Sequence, residues 1–132
     1  MGRQKRNQKI REEERGFRKL RVWQEAHELV KMVYRETKKF PKQELFCLTS
    51  QLRRAAISVP ANVVEGYAYR SDKKLLQHLH IADGSLAEVE YYLILAEDLG
   101  FVGKEDYLEL EEQRRKIGAY LTKFIKAIKQ RS

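Results

Sequence analysis

The chain has 132 residues, 35% of them charged, and a formal net charge of +8 at pH 7, which suggests one basic domain. It contains no run of 18 apolar residues, which excludes a membrane span, and its polar N-terminus holds no apolar signal-peptide core. The single cysteine, Cys47, cannot form an intrachain disulfide, so we expect a protein of the reducing cytoplasm.

Residues 1–16 form a polar tail with six basic and three acidic side chains. A segment with so few apolar side chains cannot bury itself. We therefore expect the tail to be disordered or to extend the first helix, ahead of a bundle domain over residues 17–132.

The first helix is predicted over residues 17–40. Phe40 precedes Pro41, and the residue before a proline leaves the α region, which ends the helix. Apolar side chains recur at helical spacing and form an inner stripe of Val22, Ala26, Leu29, Val33 and Thr37. Trp23, Val30 and Tyr34 widen this stripe beyond what one bundle core requires.

The second helix is predicted over residues 48–70, with an inner stripe of Leu48, Leu52, Ala55, Val59, Val63 and Gly66. A second stripe on the opposite side contains Ile57, Ala61, Val64 and Ala68. Either a neighbouring helix or loop covers that stripe, or a second subunit does. We favour the subunit and predict a homo-oligomer interface formed by Ile57, Val64, Trp23, Val30 and Tyr34.

The sequence also predicts where the second helix starts, stops and bends. Thr49 or Ser50 is the candidate start and Gly66 the candidate stop. Pro60 removes one backbone hydrogen bond and is expected to kink the helix. The carbonyl that it frees, on Ala56, then needs Asn62, Ser58 or water as a donor.

The third helix is predicted from an N-cap at Ser71 to a stop at Gly100, and the fourth over residues 104–129. Arg114 occupies a core-type position of the fourth helix. The inner faces are Leu75, Leu79, Ala82, Leu86, Val89, Leu93 and Ala96, then Leu110, Ile117, Leu121, Phe124 and Ile128. Four amphipathic helices with short connections predict an all-α fold, an antiparallel up-down four-helix bundle.

Three segments carry a family resemblance: FRKLRVWQEAHEL at 17–29, LTSQLRRAAISVPANVVEGYAYRS at 48–71 and DGSLAEVEYYLILAEDLGFV at 83–102. They resemble the bacterial four-helix-bundle family named for the intervening sequence of large-subunit ribosomal RNA. The resemblance covers about residues 17–128 and implies a cytoplasmic bundle assembled as a homopentameric ring. A similar basic bundle is the accessory protein of diversity-generating retroelements, which implies a reverse transcriptase and nucleic acid as partners. The turn at 67–70 contains less glycine and arginine than that family leads us to expect.

No metal, cofactor or catalytic site is expected. Di-iron bundles use Glu-x-x-His on two helices, and this sequence contains no such motif. His78 and His80 point about 200° apart on a helix and cannot share a metal. Three carboxylates lie on one edge of the third helix, and we expect ion pairs with Arg53, Arg54 or Arg114 there instead of an active site. These carboxylates are Asp83, Glu90 and Glu97.

Charge is distributed unevenly along the sequence. Residues 83–112 contain ten acidic side chains and one basic one, whereas residues 113–132 contain seven basic side chains and no acidic one. On the fourth helix a basic stripe within about 100° lies outside the apolar face. Its members are Arg115, Lys116, Lys123 and Lys126.

The candidate nucleic-acid contacts are this stripe, Arg70, and Arg3, Lys5 and Arg6 of the tail. Tyr67 and Tyr69 are candidates for stacking on unpaired bases. The alternative is a solvated, lysine-rich helix face without a ligand.

Two functions are therefore open. The first is a non-enzymatic accessory module that binds structured or single-stranded RNA, alone or beside a reverse transcriptase. The second is a protein-interaction scaffold, a ring with no direct role in nucleic-acid binding.

Overall fold

The computed structural model describes residues 16–131, and this part of the chain contains four α-helices and no strand. They are α1 (Arg21–Thr37), α2 (Leu48–Ala68), α3 (Asp72–Asp98) and α4 (Lys104–Arg131). Short 3-10 turns at Gly16–Lys19 and Lys42–Glu44 precede α1 and α2. The all-α prediction is confirmed. None of the described helices is long and apolar enough to cross a membrane.

Each helix packs against the helices before and after it, and α4 also packs against α1. Contacts between side chains give the directions. The N-terminal end of α3 meets the C-terminal end of α4 through Asp72 and Arg131, whereas Glu97 meets Lys104 at the opposite end. Gln113 of α4 bonds to Glu25 of α1, and Lys39, just after α1, lies 3.8 Å from Asp106 near the start of α4. These pairings are those of neighbouring antiparallel helices.

The predicted inner stripes of the first three helices are buried in full. In α4 four of the five predicted positions are buried, and Phe124 is half-buried against the core. Phe40 and Val102, which lie in the two connections at one end of the bundle, are also buried and close the core there. Hydrophobic periodicity therefore located the core correctly.

The ends of α1 and α2 differ from the prediction. The α-helix begins at Arg21 because Leu20 is extended, and it ends at Thr37, whose hydroxyl donates to the Val33 carbonyl at 2.7 Å. Neither Thr49 nor Ser50 caps α2, since Thr49 lies inside the helix and is buried. The Glu44 carboxylate instead accepts from the Leu48 backbone N–H at 3.3 Å, which places a negative charge at the helix N-terminus.

Gly66 does not end α2, so that prediction was wrong. The helix continues to Ala68, and the turn is made by Arg70, whose φ is +53°. Gly66 is buried at the contact between α2 and α3, where an added Cβ would lie 2.8 Å from the Cβ of His78. A glycine is required there because the two helices approach closely.

Pro60 is buried within α2. The Asn62 side chain donates to the Ser58 carbonyl at 2.8 Å. That carbonyl lies two residues along the helix from the Ala56 carbonyl that the proline frees. The kink itself stays a prediction.

The caps of α3 are as predicted. Ser71 accepts from the Lys74 backbone N–H at 3.3 Å. At the other end Gly100 adopts φ +78° and donates to Glu97, while Phe101 donates to Ala96, which is a Schellman motif.

Candidate nucleic-acid interface

The bundle has two halves of different charge, separated by cutting each helix near its midpoint. The basic half comprises residues 16–28, 58–84 and 118–131 and carries ten basic and five acidic side chains. The neutral half comprises residues 29–57 and 85–117 and carries eleven of each. The described part of the chain therefore has all its excess positive charge at the end formed by the α2–α3 turn.

Ion pairing increases this contrast. Seven of the eleven basic side chains of the neutral half lie within 4.0 Å of a carboxylate. In the basic half, Arg21 pairs with Glu25 at 2.9 Å and Arg131 with Asp72 at 3.0 Å. Arg18 and Lys74 of that half lie against aromatic rings, and five other cations form neither an ion pair nor a contact with a ring within the described residues. They are Lys19, Arg70, Lys73, Lys123 and Lys126.

The predicted stripe on α4 is divided between the two halves. Arg115 and Lys116 lie in the neutral half, 3.5 Å from Glu111 and 3.7 Å from Glu25. Lys123 and Lys126 lie in the basic half and are exposed. The sequence pattern treated these four cations as equivalent, but within residues 16–131 only the last two lack a carboxylate partner.

Arg70 joins the uncompensated group at the α2–α3 turn. It borders a surface groove of about 450 Å³ that Arg131 and Gly16 also line. Because the described chain begins at Gly16, the tail is attached at the basic half. The tail candidates Arg3, Lys5 and Arg6 lie outside the described residues.

The aromatic rings of the basic half are already engaged. Tyr69 stacks on His78 with ring centroids 5.6 Å apart, and the Lys74 ammonium lies 4.4 Å from the Tyr69 centroid. Tyr67 is half-buried. The predicted stacking of Tyr69 on a base therefore competes with contacts that exist within the chain, and partial burial reduces the accessible surface of Tyr67.

The exposed apolar surface is concentrated in the neutral half. Among residues 16–131, eight of the ten large hydrophobic side chains that are exposed belong to it. Phe46 is 88% exposed and lines a groove of about 600 Å³ with Leu45, Tyr34 and Ile57. Arg53 and Arg54 border the same groove. Of the predicted interface residues, the structure brings together Tyr34 and Ile57 here.

The other predicted interface residues are placed differently. Trp23 and Val30 are half-buried against the bundle core, and the Trp23 ring stacks on His27 at 4.9 Å. Val64 is half-buried in α2. Sequence reasoning missed Phe46 and Leu45 because they precede α2 and belong to no helical stripe. The apolar run Leu45-Phe46-Cys47-Leu48 after Pro41 was the available signal.

Of the carboxylate row on α3, Glu90 forms the predicted ion pair with Arg114, whereas Asp83 forms none within the described residues. Arg114 donates to Glu90 at 3.0 Å and contacts Glu111, which is 5% exposed. The hydrogen bond that Arg114 donates to Glu111 raises the pKa of the guanidinium, although burial opposes the shift. Glu97 pairs with Lys104 at 3.5 Å. Arg53 instead donates to Thr37 at 2.9 Å.

A second polar contact joins α1 to α4. The Gln113 amide donates to the Glu25 carbonyl at 2.9 Å and to its carboxylate at 3.0 Å. This hydrogen bond to the carboxylate, with the nearby charges of Lys116 and Arg21, holds the pKa of Glu25 below its usual value, against the effect of burial. The described residues contain no group of three metal-ligating side chains.

Comparison with known proteins places this bundle in a family. Residues 18–123 match the sequence profile described as the 23S rRNA-intervening sequence protein. The chain belongs to that family. No curated protein matches it.

The 23S rRNA-intervening sequence family match agrees with a likeness to a solved structure. A crystal structure from Bacteroides thetaiotaomicron, described as a protein of unknown function from the S23 ribosomal protein family, is 25% identical to this chain. The match covers 80% of this chain and 95% of that one, with a TM-score of 0.72. The predicted family resemblance is thereby confirmed.

Proposed function

We propose that this member of the 23S rRNA-intervening sequence family is a non-enzymatic cytoplasmic accessory module that binds RNA through phosphate contacts. The observation that carries the proposal is the basic half, in which five cations have neither an ion pair nor an aromatic ring contact within the described residues, while the acidic and basic side chains of the neutral half are equal in number. Uncompensated cations on one surface attract the phosphate backbone and release its counterions on binding. The family's association with ribosomal RNA is the reason for choosing RNA first.

A matched pair of charge reversals tests this proposal. Lys123→Glu with Lys126→Glu removes cations of the basic half, and Lys38→Glu with Lys42→Glu makes the same charge change in the neutral half. None of the four lysines forms an ion pair within the described residues. Binding to labelled RNA is measured by fluorescence anisotropy at several salt concentrations.

We expect the affinity of the first variant to fall at least tenfold and its log–log salt slope to decrease by about 2, one for each phosphate that the variant no longer neutralises. The control should change by less than threefold, because only its net charge differs. Equal reductions in both variants would show that net charge alone attracts RNA. An unchanged first variant would favour the protein-interaction scaffold.

We also propose that the module acts as a homo-oligomer, with a pentamer expected from the resemblance. The support is the groove bordered by Tyr34, Phe46 and Ile57, whose apolar side chains are exposed in one chain. Phe46→Lys with Ile57→Lys should abolish self-association while leaving the helix content unchanged, since neither side chain is in the core. Light scattering and circular dichroism measure the two quantities. A monomeric wild type at micromolar concentration would refute the proposal.

The scaffold remains the second candidate function, because the same exposed apolar groove could bind a different protein. A reverse-transcriptase partner stays a prediction. A pulldown with wild type and with the Phe46/Ile57 variant separates these cases from self-association.

A further inference from the structure

Recognition of single-stranded nucleic acid needs two features on one surface. Cations track the phosphates, and aromatic rings with an open face stack on the bases. A base-paired helix offers phosphates but keeps its bases stacked, so cations alone suffice. The placement of exposed rings relative to uncompensated cations therefore indicates which form of nucleic acid a basic surface accepts.

The basic half of the bundle offers cations but few exposed aromatic rings. Among the described residues, three of the four exposed aromatic side chains belong to the neutral half. These three are Tyr34, Phe46 and Tyr91. In the basic half, Tyr69 is the one exposed aromatic side chain among the described residues, beside Lys19, Arg70, Lys73, Lys123 and Lys126.

Tyr69 is not an open platform. Its ring stacks on His78 at an interplanar angle of 23°, and Lys74 sits over it. A base that stacked on Tyr69 would have to displace one of these contacts. The cost of that displacement would offset the stacking energy of about 1–3 kcal/mol per base.

Other rings of the basic half are engaged in the same way. Trp23 stacks on His27 at an interplanar angle of 9° and meets the edge of Phe17 at 4.9 Å. The Arg18 guanidinium lies 5.7 Å from the Trp23 ring. Arg21 occupies the equivalent position over Tyr120. These rings hold the arginines in place and pack against the core.

A duplex presents more phosphates than a single strand along the length of the basic half. Residues 118–131 of α4 extend over about 21 Å at 1.5 Å per residue. A duplex presents about twelve phosphates over that length, whereas one strand at the same spacing presents about six. Ten basic side chains at this end therefore meet far more charge on a duplex.

We infer that the basic half binds the phosphates of a base-paired nucleic-acid helix and not an unstacked single strand. This inference rests on the proposed function and names the class of ligand for that site. The shared chemistry of RNA and DNA duplexes is the double row of phosphates, so the experiment includes both.

The test compares three labelled probes of equal length in fluorescence anisotropy at one salt concentration: an unstructured RNA of about 16 nucleotides, its RNA duplex, and the matching DNA duplex. Tyr69→Leu is measured beside wild type. We expect the preferred duplex to bind at least tenfold more tightly than the single strand, and the Tyr69 variant to change either affinity by less than twofold. The duplex that binds more tightly shows whether RNA or DNA supplies the phosphates.

Trp23 provides a second readout, because it is the one tryptophan of the chain and lies in the basic half. Bases that stack on tryptophan quench its emission, so the single strand should leave the emission unchanged. A single strand that binds as tightly as either duplex, or a fivefold loss for Tyr69→Leu, would overturn this inference and leave the proposed function standing. Failure of all three probes to bind at about 50 mM salt would instead refute the proposed function.

Discussion

The two halves of the bundle carry similar numbers of basic side chains, ten and eleven, but use them differently. In the neutral half most of them pair with carboxylates, and Arg114 is held against the buried Glu111. In the basic half five cations form neither an ion pair nor an aromatic ring contact with the described residues. A cation inside an ion pair contributes to the fold, and a cation without one remains available to an anionic ligand.

The apolar surface follows the opposite distribution. Phe46, Ile57 and Tyr91 are among the exposed hydrophobic side chains of the neutral half, while the basic half exposes Tyr69 and Ile81. A subunit contact and a phosphate contact therefore need not compete for the same surface. An assembly built through the neutral half would leave every basic half accessible, and repetition of a weak phosphate contact increases its avidity.

Removing one cation from each half should give the largest difference in the free energy of unfolding. Arg114→Met leaves Glu111 buried without its main partner, and we expect the free energy of unfolding to fall by about 3 kcal/mol. Lys126→Met removes an exposed cation and should change it by no more than about 0.5 kcal/mol. Urea denaturation followed by circular dichroism measures both. Equal stabilities for the two variants would show that ion pairing does not distinguish the halves.

The sequence predicted the fold well because the core depends on a repeated local pattern. Stripes such as Val22, Ala26 and Leu29 follow the helical period, and the period needs no knowledge of the neighbouring helix. Positions whose role depends on a neighbour were predicted less well. Gly66 was assigned to a helix end, although its function is to admit α3 close to α2.

In the candidate site, too, the roles that depend on a neighbouring helix were not predicted from the sequence. Lys116 and Lys123 lie on the same face of α4, and nothing in that pattern distinguishes them. The structure does, because Glu25 of α1 lies beside Lys116, whereas Lys123 has no carboxylate beside it among the described residues. The partner is about ninety residues away in sequence, so its approach follows from how α1 packs on α4. Only a prediction of that packing would have identified the uncompensated cations.

The close approach of α2 to α3 in the basic half can be tested by substituting two glycines of that half. Gly66→Ala would bring its Cβ to 2.8 Å from the His78 Cβ and 3.3 Å from the Leu75 Cα, so α2 and α3 must separate. We expect a loss of about 2 kcal/mol in the free energy of unfolding. Gly84→Ala meets nothing within 4 Å and should gain up to about 1 kcal/mol through helix propensity. Thermal and urea unfolding compare the variants, and a stabilised Gly66→Ala would contradict the packing.

The smallest expected effect concerns the contact that joins the halves, from Gln113 in the neutral half to Glu25 in the basic half. Gln113→Ala removes the hydrogen bond that contributes most to lowering the Glu25 pKa. We expect a loss of about 1 kcal/mol at neutral pH. Gln130→Ala, an exposed glutamine of the basic half on the same helix, is the control and should change stability by less than about 0.5 kcal/mol.

The pH dependence separates this interaction from a general packing loss. Because its folded-state pKa lies below the ordinary value of 4.5, Glu25 contributes stability above that pH, and the contribution is lost as the pH falls through the folded-state pKa. The difference in unfolding free energy between wild type and Gln113→Ala should therefore shrink as the pH is lowered from about 6 to about 3. Urea denaturation at each pH measures it. A difference that stays constant over this range would mean that Gln113 stabilises the bundle by packing and not through the Glu25 carboxylate.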